Sequence, residues 1–182
     1  THSFVSPIIG DIITSFSTTP PSFDDTNTAL YLDTDMNANL DDEDIDLAIR
    51  LGDGNWPNSI VHKLTDIQIS AVCSPTFANE HKPHLLKDIS HLPLVDFTYV
   101  DDAWSYWAKY VGLNLKENKR SLSFNDYDSA INAAAQGLGM ALAMFPIENI
   151  PLSRGVIVTP FQNSMPYAKS LYAVYRPEDA ER

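Results

Sequence analysis

The chain has 182 residues, 44% of them hydrophobic and 20% charged, which is enough for one large domain or two small lobes with a buried core. Its 24 acidic and 12 basic side chains give a formal net charge of -12, so it lacks the positive charge that dominates affinity for nucleic acids. Its apolar runs are shorter than the roughly 20 residues that span a bilayer, which argues against a membrane protein.

The first part of the chain alternates between apolar runs and polar breaks. "FVSPIIGDIITSF" has the spacing of a helix, and "TALYLDT" alternates like a strand. "LAIRL" indicates a buried strand that leads into a glycine-containing loop, "GDGNWP". The next segment, "SIVHKLTDIQISAVC", predicts two strands with a turn at Thr65 and Asp66.

The second part of the chain continues the alternation with clearer helices. "HLLKDISHLPLVDF" predicts a short helix and a strand, and "DDAWSYWAKYVG" predicts a helix that ends at Gly112. After these come a strand "SLSF", a helix "DYDSAINAAAQ", a strand "LGMALAMF" and two further strands, "GVIVTPF" and "AKSLYAVYRP". Strands and helices that alternate at these lengths predict an α/β protein.

The residues that often carry chemistry have ordinary explanations in this chain. Cys73, the single cysteine, lies in the apolar run "IQISAVC", where a small buried hydrophobe is expected rather than a nucleophile. The five histidines lack metal-binding spacing, and the acidic run "LDDEDIDLA" lacks the glycine and terminal glutamate of a calcium loop. The sequence therefore predicts no catalytic residue, no metal and no cofactor.

A polar junction interrupts the regular pattern where "SLSF" gives way to the following helix. Asn125 can cap this helix, with Asp128 as the acidic partner three residues later, and Gly137 is expected to end it. The first turn of a helix also presents unbonded N–H groups and partial positive charge, which suit a small polar or anionic ligand. Ser123 and Asn125 alternate along the strand end and can face such a ligand together. Residue chemistry favours capping and leaves ligand contact open.

Two other features bear on the ligand. Thr1, His2 and Ser3 precede an apolar helix, and they are either a second helix cap or a second polar lip around a ligand. Arg50 ends an apolar strand, where its guanidinium can bind a carboxylate or pair with a nearby aspartate. Free helix N-termini together with Arg50 favour a ligand that carries a carboxylate.

Several segments occur together in a recognisable order: "LDDEDIDLAIRLGDGNWP", "HKL", "ISAVCSP", "WSYWAKYVGL", "SLSFNDYDSAINAAAQGLGMALA", "GVIVTPF" and "YAVYRPED". From about residue 40 to the end, the chain resembles the effector-binding domain of the LysR-type transcriptional regulators. The similarity is to the branch that contains the glycine-cleavage-system activator and the β-lactamase regulators. The early segments "SPIIGDIITSF" and "STTPPSFDDTNTA" depart from the pattern of that family.

The resemblance implies an α/β, two-lobed type 2 periplasmic-binding-protein-like fold, with two Rossmann-like subdomains joined by two crossover strands near "DIQIS" and "RGVIV". Residues 1–69 and 155–182 are expected to form one subdomain and residues 70–154 the other. Family members carry an N-terminal winged helix-turn-helix that this chain does not include. We therefore expect an excised domain whose full-length protein contacts DNA only through that N-terminal part.

The resemblance also implies where a small-molecule effector binds and what binding does. The effector is expected in the cleft between the lobes, where it biases the state of the DNA-bound oligomer. The protein is expected to be cytoplasmic, a homodimer or homotetramer, and without membrane association. The residues expected to contact the effector are Thr1, His2, Ser3, Ser74, Ser123, Asn125, Asp126 and Tyr167.

Two other classes of protein use the same fold and stay open as alternatives. The first is the solute-binding protein of a transporter, which works alone outside the membrane. The second is an enzyme, which is disfavoured because the sequence pairs no nucleophile with a base.

Overall fold

The computed structural model describes residues 48–98, 102–115 and 122–177. The predicted helix and strand in the first 47 residues lie outside the described residues, as do Thr1, His2 and Ser3. The chain divides into two compact units. The first unit contains the described residues 48–67 and 167–177, and the second contains Gln68–Pro166.

The first unit is built on strands that pair in the antiparallel direction. Strand β1 (Ala48–Gly52) pairs with the last part of β6 (Ser164–Tyr175), with Ala48 opposite Val174 and Gly52 opposite Ser170. Strand β2 (Ile60–Val72) and strand β6 each pass from one unit to the other. The sheet has the order β1-β6-β2-β5. Its buried hydrophobic residues in this unit are Ala48, Ile49, Ile67, Leu171, Ala173 and Val174.

Strand β2 runs without interruption over 13 residues, so the predicted turn at Thr65 and Asp66 is wrong. The Asp66 carboxylate accepts hydrogen bonds from Lys63 Nζ at 2.7 Å and from Ser170 Oγ at 2.8 Å. The bond from Lys63 lowers the pKa of Asp66 most, and the bond from Ser170 lowers it further. Asp66 is therefore bonded to its neighbours within the strand. Its contact with Ser170, which lies on a strand distant in sequence, is one that local sequence does not reveal.

The second unit alternates strands with short helices. The predicted helices and strands between residues 84 and 145 are confirmed, whereas α1 and α4 were not predicted. Among the described residues, no helix is long and apolar enough to cross a membrane. The elements are α1 (Pro75–His81), a 3-10 helix (Leu86–His91), β3 (Val95–Phe97), α2 (Ala103–Tyr110), β4 (Leu122–Phe124), α3 (Tyr127–Ala135), β5 (Ala141–Phe145) and α4 (Asn149–Ser153).

Strand β5 is buried on both faces, and its alternating residues define two cores. Leu142, together with Met140 just before the strand, joins the cluster that contains Trp104 and Trp107 of α2. Ala141 and Ala143 join the cluster that contains the alanine-rich face of α3. Successive side chains of a strand point to opposite faces, so helices α2 and α3 cover opposite sides of β5. This arrangement is the layered α/β architecture that the sequence predicts.

The segment 155–161 was predicted as a strand, and the structure differs on this point. Its backbone forms only an isolated bridge, in which Val158 pairs with Cys73. Ile157 and Phe161 are buried in the two cores of the second unit. Residues 155–166 therefore pack with the second unit, and the chain passes to the first unit at Tyr167.

The aromatic residues of α2 divide into a buried pair and an exposed pair. Trp104 and Trp107 are almost completely buried, with rings 5.7 Å apart in an edge-to-face arrangement, while Tyr106 and Tyr110 are exposed. The Trp104 indole donates a hydrogen bond to the Val95 carbonyl at 2.9 Å. The Trp107 indole N–H has no acceptor in the described part of the chain.

Replacing each buried tryptophan with phenylalanine should therefore give different losses of stability. Trp104→Phe leaves the buried Val95 carbonyl without its donor, and a buried polar group left unsatisfied costs about 1–3 kcal/mol. Trp107→Phe removes a similar ring volume and also removes a buried donor that has no partner. We expect Trp104→Phe to be the more destabilising by about 1–3 kcal/mol in urea denaturation followed by circular dichroism. Equal losses would contradict the hydrogen-bond assignment.

Candidate functional site

The carboxyl ends of three strands meet at one edge of the second unit. Strands β3 and β4 are parallel, with Phe97 opposite Phe124 at their ends. A parallel bridge between Leu94 and Met140 gives β5 the same direction as β3. We call this side of the second unit the carboxyl edge. In open α/β units, ligands bind outside the carboxyl ends of the strands.

The chain also enters the second unit at the carboxyl edge. Strand β2 is antiparallel to β5, with Gln68 opposite Phe145 and Val72 opposite Ala141. Gln68 is the first residue of the second unit, and Phe145 is the last residue of β5. The crossing point and the ends of the parallel strands therefore share one side of this unit.

The polar residues that follow β4 lie at the carboxyl edge. Ser123 is the middle residue of β4, and Asn125 and Asp126 connect β4 to α3. All three side chains are exposed. The structure therefore places three of the predicted contact residues side by side at the carboxyl edge.

Asp126, and not Asn125, caps α3. The Asp126 backbone is extended, and its carboxylate accepts a hydrogen bond from the Ser129 backbone N–H at 2.7 Å. The predicted cap by Asn125, with Asp128 as its partner, is wrong because α3 begins at Tyr127, one residue later than that cap requires. Asn125 therefore lies outside the capping interaction, one residue before the cap.

The cap changes the charge expected at this surface. Hydrogen bonds from the Ser129 backbone and side chain lower the pKa of Asp126, so the residue is a carboxylate at neutral pH. Its negative charge lies where α3 carries partial positive charge. The N-terminus of α1 is capped as well, by Ser74. The free helix N-termini from which the sequence inferred an acidic ligand are thus occupied at α1 and α3.

Ser74 lies away from the other predicted contacts. It is buried, and its Oγ accepts a hydrogen bond from the Phe77 N–H at 3.1 Å. A Cβ added to Gly137, just after the end of α3, would lie 3.2 Å from this Oγ. A helix of nine residues is about 13 Å long, so Ser74 and Asp126 lie near opposite ends of α3. The structure does not bring Ser74 to the carboxyl edge, because β2 runs antiparallel to β5.

The other predicted contacts belong to the first unit or are outside the described residues. Tyr167 lies in β6, where the strand enters the first unit, and it is half-buried. Burial raises the pKa of its hydroxyl. Thr1, His2 and Ser3 precede the described residues.

A polar group that the sequence did not reveal lies beside the carboxyl edge. The Tyr127 hydroxyl accepts a hydrogen bond from the Met144 backbone N–H at 2.9 Å and donates one to the Glu148 carboxylate. Burial, and then the charge of Glu148, raises the pKa of Tyr127. Twenty or so residues separate Tyr127 from Glu148, and each has an ordinary place in its helix. No local pattern could therefore have paired them.

Cys73 and the possible metal ligands lie elsewhere in the described residues. Cys73 is buried, as predicted, and burial raises its pKa to about 11, so the thiol stays protonated at neutral pH. Within residues 48–98, 102–115 and 122–177, no three histidine, cysteine, aspartate or glutamate side chains are placed to hold a metal ion. The carboxyl edge is therefore the best-supported candidate site in the described chain.

A family model and curated relatives match this chain. The model for the LysR substrate binding domain matches residues 1–182. The glycine cleavage system transcriptional activator of Escherichia coli (strain K12) is 29% identical over 143 residues, which are 76% of this chain and 46% of that protein. The transcriptional activator AmpR of Citrobacter freundii is 31% identical over 65% of this chain and 40% of its own length. The chain thus spans about half the length of these curated relatives.

Solved structures match the fold. The AmpR effector binding domain from Citrobacter freundii superposes with a TM-score of 0.63 at 27% identity, covering 76% of this chain and 68% of that one. The effector domain of AmpR from Pseudomonas aeruginosa superposes with a TM-score of 0.62 at 26% identity, covering 78% of this chain and 66% of that one.

The capping role of Asp126 predicts a pH-dependent loss of stability. Asp126→Ala should lower the melting temperature at pH 7, and Asp126→Asn should lower it less, because asparagine also caps helices. The folded-state pKa is depressed, so the stabilisation is present above the unfolded-state pKa of about 3.9 and is lost as the pH falls through the folded-state pKa.

The melting-temperature difference between the native chain and Asp126→Ala should therefore shrink below about pH 4. Thermal melts between about pH 3 and pH 7 measure it. Asp128→Ala, in the same first turn, is the matched control. An effect of Asp126→Ala no larger than that of Asp128→Ala at pH 7 would rule out the cap.

Proposed function

Because the chain belongs to the LysR substrate-binding domain family, we propose that a small molecule bound to this effector-binding domain controls DNA binding or transcription activation by the full-length protein. The observation that carries the proposal is the agreement between this family and the polar carboxyl edge of the second unit. Binding that favours one state of the protein shifts the population toward it, in proportion to the difference in affinity.

The effector contacts that we propose in the second unit are Ser123 and Asn125. Both are exposed beside the end of β4, and neither side chain forms the α3 cap. Asp126 is proposed to act at the same surface as a carboxylate that also fixes the start of α3. Tyr167 and the amino-terminal Thr1, His2 and Ser3 stay proposed contacts. Ser74 also stays a proposed contact, away from the carboxyl edge and near the other end of α3.

DNA contact is proposed to reside in another part of the full-length protein. The acidic chain has a net charge of -12, which opposes binding to phosphates. We further propose that the full-length regulator is cytoplasmic and assembles as a homodimer or homotetramer. The named relatives are transcriptional activators, so a transporter's solute-binding protein is not favoured, and no catalytic activity is proposed.

The proposal that the effector carries a carboxylate has less support than the sequence suggested. A carboxylate placed against the start of α3 would meet the Asp126 carboxylate, which is an unfavourable like-charge contact. A carboxylate on the effector therefore depends on another group. Arg50 is the candidate named from the sequence, and it is buried in β1 of the first unit.

Ligand-shift melting with a panel of amino acids and organic acids tests the proposed function. A ligand present at about 100 times its Kd should stabilise the chain by about 2.7 kcal/mol and raise the melting temperature by several degrees. In the double variant Ser123→Ala/Asn125→Ala, affinity should fall at least about tenfold, which corresponds to roughly 1.4 kcal/mol. Asn132→Ala, an exposed position in the middle of α3, should bind as the native chain does.

Two results would count against the proposal. A panel in which no compound shifts the melting temperature would oppose effector binding by this domain. A shift that is the same in the native chain and in the double variant would leave effector binding in place but remove it from the carboxyl edge.

In the full-length protein, Ser3→Ala and Asn125→Ala should abolish the effector response of a transcriptional reporter while protein levels stay unchanged.

A further inference from the structure

Tyr127 connects three elements whose ends form the carboxyl edge. It is the first residue of α3, directly after the cap residue Asp126. Its ring packs edge-on against Phe97, the last residue of β3, with centroids 5.9 Å apart. Its hydroxyl reaches the Met144 N–H of β5 at 2.9 Å. The start of α3 is therefore tied to the ends of β3 and β5 through one side chain.

Three hydrogen bonds close a ring around the end of β5. The Met144 N–H donates to the Tyr127 hydroxyl, and that hydroxyl donates to the Glu148 carboxylate. The Glu148 backbone N–H in turn donates to the Met144 carbonyl at 3.1 Å. Glu148 is only 8% exposed, so little water reaches it to compete for these bonds. The Tyr127 hydroxyl thus provides an acceptor for the Met144 N–H, near the end of β5 and beyond the bridge at Met140 that joins β5 to the β3 segment.

Glu148 is an unusual residue to bury at this position. Burial raises its pKa, the bond from Tyr127 lowers it, and the nearby Asp128 raises it. A carboxyl whose folded-state pKa is raised contributes stability below its unfolded-state pKa, and that contribution is lost as the pH rises through the folded-state pKa. Ionisation of Glu148 therefore works against stability, although the carboxylate accepts a hydrogen bond from the Tyr127 hydroxyl. An uncharged acceptor would hold the hydroxyl without that cost.

We propose that Tyr127 and Glu148 are positioning residues that hold the start of α3, and with it Asn125 and Asp126, in place against the end of β5. The inference rests on the proposed function, because it concerns the surface to which the effector binds. Neither residue is required to touch the effector. Tyr127 acts through the backbone of the junction, and Glu148 acts through the Tyr127 hydroxyl.

Amide hydrogen exchange of the full chain, followed residue by residue with NMR, tests the proposal without any ligand. Tyr127→Phe keeps the ring and its packing on Phe97 but removes the hydroxyl. The Met144 amide and the amides of residues 125–129 should then exchange roughly threefold to tenfold faster, as expected for the loss of one hydrogen bond. Tyr106→Phe, the same change at an exposed position of α2, should leave these amides unchanged.

Two substitutions of Glu148 separate the hydrogen bond from the charge. Glu148→Gln retains an acceptor for the Tyr127 hydroxyl, so exchange at residues 125–129 should stay native. Its melting temperature at pH 7 should equal or exceed that of the native chain, and the native chain should gain relative to it as the pH falls through the raised pKa of Glu148. Glu148→Ala removes the acceptor and should reproduce the fast exchange of Tyr127→Phe.

Each outcome bears on one of the two proposals. Unchanged exchange at Met144 in Tyr127→Phe would overturn the proposal, and so would identical behaviour of Glu148→Gln and Glu148→Ala. Faster exchange confined to Met144 would show a local bond that does not position the junction, and would also overturn it. Failure of every panel compound to bind the native chain would refute the proposed function and leave the exchange result unaffected.

Discussion

The burial of β5 on both faces is the constraint on which the second unit depends. Leu142, and Met140 just before the strand, need a hydrophobic partner on one side, and α2 supplies Trp104 and Trp107. Ala141 and Ala143 form a smooth opposite face on which the alanine-rich side of α3 packs. The strand cannot bury either face by itself, so a helix must pack on each side of it. Helix α3 consequently begins at the carboxyl edge and ends beside Ser74.

The chemistry of the carboxyl edge follows from that placement. The first turn of α3 requires a cap, which Asp126 provides, and the carboxylate it introduces remains charged at neutral pH. The end of β5 requires an acceptor for the Met144 N–H, which Tyr127 provides. Both residues bond the backbone, whereas the Ser123 and Asn125 side chains take no part in these two bonds. The surface thus has residues that stabilise the backbone, Asp126 and Tyr127, and exposed residues that a ligand can contact, Ser123 and Asn125.

The family assignment explains why much of the organisation was predictable. The ordered motifs resembled an effector-binding domain of the LysR type, and the family model confirms that resemblance across residues 1–182. The α/β, two-lobed fold class is confirmed by the same model and by the AmpR effector-domain structures. The predicted helices and strands between residues 84 and 145 are also confirmed, because their apolar periods and the glycine after α3 are local signals. Gly137 adopts a positive φ of 84°. The division into subdomains and the effector contacts stay predictions.

The sequence by itself determined the family, the α/β alternation, the burial of Cys73 and the polar character of the junction after β4, since each depends on residue type and short-range spacing. Tertiary structure alone decided that β2 is continuous, because Asp66 finds Ser170 on a distant strand. It also decided that Ser74 lies away from the carboxyl edge, because strand direction sets which ends meet. The pairing of Tyr127 with Glu148 is of the same kind: a buried hydrogen bond is specified by where elements pack, and residues distant in sequence carry no local mark of it.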